Sequence, residues 1–374
     1  MIHHQRSKIT VLLAFVAVTT MSAQTFSVTT FTDLGQLGTQ GSTATAVNAS
    51  GQIAGYSYVS GPGDRSFRYS GGVMSDLGTL GGSLGFSYAW AINDSGEVAG
   101  RANYGGGLNF TAYRYSGGVM SDLGTLGGNN SQAEGINNAG QVVGHSYVTG
   151  NSAYHAFRYS GGVMSDLGTL GGTNSTAFGI NTAGKVVGGA DNTGNGSFHA
   201  YLYSGGIMTS LGTLGGNYSE AYEINDADQI VGESKTAGGQ FHAFLYSGGS
   251  MIDLGTFGGT RSKAFGINEA GQVVGGARDA GENDRAFFYD TGTMYDLNTL
   301  AAGYMGGAGF TSLRYAYGIN DSGQIVGYGM HTDGNFRAFS LSLAAVPEPS
   351  TYAVLAGLMA LGLAAWRRQT RRAA

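Results

Sequence analysis

The chain has 374 residues, 68 of them glycine and only three proline, with no cysteine and a formal net charge of −5. Glycine at roughly two and a half times its usual ~7% share, placed beside Tyr, Phe, Ile and Val rather than at every third residue, excludes both collagen and a disordered linker. The lack of cysteine excludes disulfide staples and thiolate chemistry. Without the basic ends, 13 basic face 23 acidic residues, a charge of −10 that argues against a nucleic-acid partner.

In chain order, residues 1–23 begin with basic Arg6 and Lys8, continue through an apolar run from Ile9 to Val18, and end in the small residues Ser22 and Ala23. This is the pattern of a secretory signal peptide cleaved after Ala23, so the Sec export machinery is an expected partner. An exported chain without disulfides must hold itself together by packing and by closing its sheet edges.

Residues 24–345 are built from one unit of about 44 residues. Its DLG element begins at Asp33, Asp76, Asp122, Asp166, Ser210, Asp253 and Asp296, in steps of 43 to 46 residues. Each unit predicts four short strands: SxAxGIN, then GQVVG with its extension, then the HAF segment, then M-x-DLG. Asn-x-x-Gly, as in Asn137 to Gly140, joins the first two as a tight hairpin, and Ser-Gly-Gly, as in Ser160 to Gly162, joins the last two. A regular repeat of this length with four strands predicts an all-β, seven-bladed β-propeller. The ends complement each other: Phe26 to Leu34 reads as a lone fourth strand, and Tyr315 to Leu343 as three strands lacking a fourth. Their pairing would make the seventh blade and close the ring. In the first strand, Ala44, Ala89, Ala133, Ala177, Ala221, Ala264 and Ala316 recur, with Gly or Ala two residues on in most copies. Strict alternation puts these on a small face. It puts Trp90, Phe178, Tyr222, Phe265 or Tyr317, with the following Ile, on a large face that would nest against the next blade.

The tail, residues 346–374, places Pro347, Glu348 and Pro349 ahead of an apolar run from Tyr352 to Trp366 and then Arg367, Arg368, Arg371 and Arg372. Fifteen residues make only ~22 Å of helix against a hydrocarbon core of ~30 Å, so one short transmembrane helix must borrow from its flanks. The arginines place its end on the cytoplasmic side. Tripeptide, span and basic end in this order resemble the PEP-CTERM sorting domain. That resemblance implies processing by an exosortase in a Gram-negative bacterium, passage through an inner-membrane intermediate, and a final place at the cell surface or in an extracellular matrix rich in exopolysaccharide. The repeats resemble the HAF family of probable extracellular repeat proteins through His155-Ala156-Phe157 and His242-Ala243-Phe244, with His199-Ala200-Tyr201 a near match. Arg65, Thr111, Arg285 and Arg337 replace the histidine elsewhere. This second resemblance implies an extracellular location and no defined activity.

Candidate chemistry is sparse. His145, His155, His199, His242 and His331 would form a metal site only if several pointed into a pore, and a structural role beside the aromatic strand is the plainer reading. The repeated Asp of DLG suits a strand-end hydrogen-bond acceptor. No metal or other cofactor is expected. Calcium alone stays open, because Asp279, Glu282 and Asp284, or Asp191 with Asn192 and Asn195, supply hard oxygen donors, though without EF-hand or nonapeptide spacing. The segments joining second and third strands differ in every copy and emerge on one rim, together with a longer loop from Ala301 to Thr311. That layout suits a binding surface on a rigid scaffold. Its candidate residues are Tyr58, Arg65, Tyr104, Tyr147, Tyr154, Arg278, Arg285, His331 and Arg337, whose rings and guanidinium groups suit sugars and their acidic substituents. The leading expectation is a non-enzymatic binding or scaffold module for exopolysaccharide or another envelope component. A polysaccharide lyase or hydrolase is the alternative, with Glu134, Tyr222, Glu223 and His145 as the outliers from the repeat. A structural surface-layer component is a third.

Overall fold

A computed structural model describes residues 24–59, 63–81, 85–103 and 109–346. The signal-peptide segment and the tail from Pro347 through Arg372 lie outside these residues, as does Tyr104. Among the described residues no helix is long and apolar enough to cross a membrane.

The fold is all-β and made of four-stranded sheets, all but the last strung in chain order through the compact unit Phe26–Ala344. The sheets begin with the strands Ser42–Val47, Ser87–Ile92, Gly127–Ile136, Gly171–Ile180, Gly215–Ile224, Gly258–Ile267 and Phe310–Ile319. In the third sheet Gly127–Ile136 pairs with Val142–Val148, then Tyr154–Ser160, then Val163–Asp166, all antiparallel. The predicted hairpins form as read. Gly140 N–H returns to Asn137 O at 2.9 Å, and Gly161 and Gly162 take φ of 58° and 87°, the two positive values a type I′ turn demands. In the last sheet Phe310–Ile319, Gln324–His331 and Phe336–Val346 are joined by Thr25–Asp33 from the other end of the chain. Leu34 N–H donates to Ala338 O at 3.0 Å, and the Phe31 and Phe339 rings stack 6.1 Å apart.

The core lies between neighbouring sheets. In one cluster Ala99, Ala112 and Leu123 of the second sheet meet Ala133, Ile136, Val142 and Phe157 of the third. The small-against-large nesting therefore exists, but the second and third strands carry it. The expected large face of the first strand does not form. Ile136 packs in the same cluster as Ala133, three residues earlier, which strict alternation forbids. The reason is a register shift between Ala133 and Gly135 that leaves Glu134 as the extra residue of a β-bulge. The same shift recurs in all seven first strands, at Thr45, Trp90, Glu134, Phe178, Tyr222, Phe265 and Tyr317. Opposite each bulge stands a glycine of the second strand. A Cβ on Gly144 would run into the carbonyl oxygen of Gln132, and the equivalent clash recurs at Gly55, Gly100, Gly188, Gly232, Gly275 and Gly327.

Hydrogen bonds between sheets repeat with the same regularity. Ser131 Oγ accepts from Ala112 N–H of the preceding sheet at 2.8 Å and donates to Gly124 O at 2.6 Å. The asparagine ending each first strand does more than cap its turn, because its Nδ2 also donates to the backbone carbonyl of the next sheet's asparagine. Asn48 reaches Asn93 at 2.9 Å, Asn93 reaches Asn137 at 3.1 Å, and Asn137 reaches Asn181 at 3.1 Å. Asn181, Asn225 and Asn268 continue the series, and Asn320 returns to Asn48 O at 2.9 Å. The series of seven bonds ends where it began.

The longer loop expected on the variable rim is anchored in the core at one side. It forms two short helices, Leu297–Leu300 and Ala302–Met305, whose Leu297, Ala301 and Met305 are buried with Phe310, Leu313 and Leu341, while Ala302, Gly303, Tyr304, Gly306 and Gly307 stay exposed. In this copy Arg314 stands where the bridging serine stands elsewhere. Asn298 binds the backbone instead, accepting from Leu313 N–H at 2.7 Å and donating to Leu313 O at 3.0 Å.

Candidate binding site in the central cavity

The bulge matters because it aims a side chain away from both packed faces. The bulge residues of all seven first strands line one cavity of about 340 Å³, with the following small residues and the Val or Ile ring beyond. A second cavity of about 240 Å³ shares that Val and Ile ring and ends at the seven asparagines. One wall of the larger cavity is an arc of rings: Phe178 to Tyr222 at 5.3 Å, Tyr222 to Phe265 at 5.4 Å, and Phe265 to Tyr317 at 4.8 Å between centroids. Trp90, stacked on Tyr88 at 6.3 Å and edge-on to Tyr56 at 5.5 Å, lies on another wall. Glu134 and Glu223 are the carboxyl groups among the lining residues.

Two polar networks brace this lining. In the first, the Arg101 guanidinium sits 4.9 Å from the Tyr88 ring and 4.7 Å from that of Phe110, and donates to Gln132 Oε1 at 2.9 Å. Gln132 Nε2 donates in turn to Glu134 Oε1, 2.5 Å away. Burial pushes the Glu134 carboxyl up to about 8, against the lowering effects of Gln132 and Arg101 and with a small contribution from Glu220. His145 Nδ1 lies 3.9 Å from Glu134. Burial, then the Arg101 charge, push this imidazole down to about 4, so it is neutral. In the second network, Tyr222 Oη lies 3.0 Å from both Glu220 and Glu233, and Tyr218 donates to Glu220 at 3.1 Å. Glu233, 3% exposed, is held by Lys263 at 2.7 Å and Arg261 at 3.1 Å. Burial pushes Glu223 up to about 7. Of the lining residues, Trp90 keeps its Nε1 buried and without a hydrogen-bond partner among the described residues.

The outliers Glu134, Tyr222 and Glu223 are thus brought to one cavity, with His145 behind Glu134. The rim residues are more dispersed. Tyr58 meets the cavity wall through Tyr56 at 5.6 Å, and Tyr154 packs on His145 at 5.6 Å and on Tyr147 at 5.9 Å. Arg278 is paired with Glu282 and Asp284, and His331 with Asp333. Arg65, Arg285 and Arg337 occupy the histidine position of the HAF tripeptide, and their role there is legible from the histidines. His155 Nδ1 meets Asp166 at 2.7 Å and His242 meets Asp253 at 2.8 Å, tying third to fourth strand at the DLG aspartate. Arg337 meets Asp33 at 3.4 Å, Arg65 meets Asp76 at 3.8 Å and Arg285 meets Asp296 at 4.0 Å in the same way. The aspartate also accepts the N–H of the glycine two residues on, at 2.7 Å for Gly168. The acidic clusters weighed for calcium are likewise engaged: Asp279 with Arg285 and Asn283, and Asp191 with Asn174. Among the described residues no three metal-ligating side chains converge.

Residues 345–372 match the PEP-CTERM protein-sorting motif. Among curated proteins none matches the chain. Among solved structures it is similar to a prolyl endopeptidase, at a TM-score of 0.54 and 10% identity over 83% of this chain and 51% of that one. It is also similar to TolB from Acinetobacter baumannii, at 0.46 and 14% over 79% and 67%. A variant of the Aleuria aurantia lectin aligns at 0.39 and 11% over 83% and 96%. This chain spans about half the length of the prolyl endopeptidase. These neighbours are β-propeller-like, and at such identities the likeness concerns the fold alone. The chain is an all-β protein of four-stranded sheets whose PEP-CTERM motif implies secretion and exosortase processing, and so a place in the envelope or outside the cell.

Proposed function

We propose that this protein is an exported, exosortase-processed, seven-bladed β-propeller of the HAF-repeat kind that binds envelope polysaccharide without cleaving it. The observation that carries the reading is the central cavity, walled by an arc of aromatic rings and carrying two carboxyl groups in its lining. Sugar rings present flat C–H faces to aromatic side chains and hydroxyls to carboxyl groups. The cycle of asparagine bonds and the pairing of the two chain ends support the propeller. The sorting motif supports a destination where polysaccharide is the abundant ligand. The test is to follow a tagged chain through cell fractions with and without the host exosortase, and to measure retention on the producer's own matrix polysaccharide. Release of unprocessed, matrix-free protein in both backgrounds would refute it.

A second reading is glycoside cleavage, favoured by one observation: burial holds Glu134 protonated at neutral pH, as a general acid must be. New reducing ends on that polysaccharide, absent with Glu134→Gln, would establish it.

A further inference from the structure

The cavity lining has a chemical bias that polysaccharide binding in general does not require. Neither Glu134 nor Glu223 is ion-paired to a lysine or arginine among the described residues. For Glu134 the neighbouring groups are Gln132, the neutral imidazole of His145, Glu220 from the fifth sheet, and Arg101, whose guanidinium is committed to Gln132 and to two aromatic faces. For Glu223 they are its own neighbour's N–H, Ile224, at 3.4 Å and the like charge of Glu269. Two buried carboxyls without counterions thus share a cavity with the rings of Trp90, Phe178, Tyr222, Phe265 and Tyr317. Aromatic faces and carboxylates both favour a cation, and a cation desolvated over such rings is held more tightly than one at an exposed site. A metal ion does not fit, since two carboxyls fall short of the six or more oxygens a hard cation takes. A simple amine fills little of such a space, whereas about 340 Å³ admits a sugar ring with its substituents.

We propose that the central cavity receives an amino-sugar unit carrying a free ammonium group, its ring face on the Phe178–Tyr222–Phe265–Tyr317 arc and its ammonium on one of the two lining carboxyls, Glu134 or Glu223. This names the unit recognised and rests on the polysaccharide-binding reading. It has a measurable consequence. Glu134 and Glu223 are pushed up to about 8 and about 7 in the empty cavity, so a bound ammonium that requires carboxylates must expel protons near pH 7.

The test is calorimetric titration of the full-length chain in detergent with a short glucosamine oligomer and with its N-acetylated counterpart, in two buffers of different ionisation enthalpy at pH 7. The amine form is expected to bind at least about tenfold more tightly and to release protons, whereas the acetylated form releases none. Glu134→Gln or Glu223→Gln, each checked for fold by circular dichroism, should abolish both the preference and the proton release, and persistence of both in the two variants alike overturns the proposal. Equal affinity for the two forms, or binding of the amine with no proton release, overturns the proposal. If the producer's polysaccharide still binds in that case, the amino-sugar assignment alone falls. If it does not bind either, the polysaccharide reading falls with it.

Discussion

Replacing Asn320 by alanine tests whether the last sheet is bonded to the first as firmly as any other neighbouring pair. Asn320 Nδ2 donates to Asn48 O at 2.9 Å, and its Oδ1 accepts from Ser322 N–H at 3.1 Å and Gln324 N–H at 3.0 Å within its own turn. Asn137 makes the same set within the third sheet and to the fourth: Asn181 O at 3.1 Å, Ala139 N–H at 3.1 Å and Gln141 N–H at 3.0 Å. Both are buried. At about 1 kcal/mol per bond, with a further cost for a buried carbonyl left unpaired, each alanine variant should lose about 3–4 kcal/mol. Asn320 Oδ1 also accepts from Ser322 Oγ at 2.7 Å, a bond Ala139 cannot make, so the Asn320 substitution is measured in a Ser322→Ala background, where the turn contribution is common to both and the comparison isolates the bond between sheets. In a closed ring the two losses agree to within about 0.5 kcal/mol. In an open arc the Asn320 bond to Asn48 does not exist, and its variant should be milder by about 1–2 kcal/mol. Urea unfolding followed by tryptophan fluorescence measures both, with the slopes compared to verify that the same surface is exposed. A milder Asn320 variant at equal slope would refute the reasoning.

Two further predictions concern the bulge and the carboxyl it carries. Gly144→Ala drives a methyl into the Gln132 carbonyl and should cost more than about 2 kcal/mol. Gly150→Ala, at a positive φ of 89° but in open space, should cost only about 1 kcal/mol; equal urea midpoints for the two would show that the bulge does not depend on its glycine. For Glu134, the unfolded carboxyl ionises near 4.5 and the folded one near 8, so below pH 4.5 it is neutral in both states and costs nothing. As pH rises to 8 the unfolded state ionises first, and stability should fall by about 5 kcal/mol. Glu134→Gln should flatten that slope between pH 5 and 8, and an unchanged slope would contradict the buried carboxyl.

Much of the architecture was legible because the repeat restates each instruction in every copy. Asn-x-x-Gly and Ser-Gly-Gly are local turn chemistry, and the leftover strand at each end announces their pairing. The bulge was harder to read, because alternation is the default for a strand and one extra residue reverses every assignment beyond it. Its signal was present all the same: Ala133 and Ile136 are both core-like and three apart, opposite a glycine that recurs in all seven copies. The second role of the asparagine was hidden by the first, since a turn cap already accounts for the residue. The cavity networks could not be read at all. Arg101 reaches Gln132, and Arg261 and Lys263 reach Glu233, only because neighbouring sheets pack side by side, and no local pattern marks them. The rim arginines carry a further contact that the sequence did not reveal: Arg65, Arg285 and Arg337 each face the aspartate that the histidines of other copies face.

The most direct test of the account is to plug the cavity. Thr45 is the smallest of the seven bulge residues, in a position where the second sheet carries Trp90, so Thr45→Trp adds bulk to the cavity rather than to the packed core. Retention of this variant on the producer's matrix polysaccharide should be lost, while it stays folded by circular dichroism and gives up only about 1–2 kcal/mol with the bonds of Thr45 Oγ1 to Ala54 O and Ala89 O. Undiminished retention would move binding away from the central cavity and contradict the account.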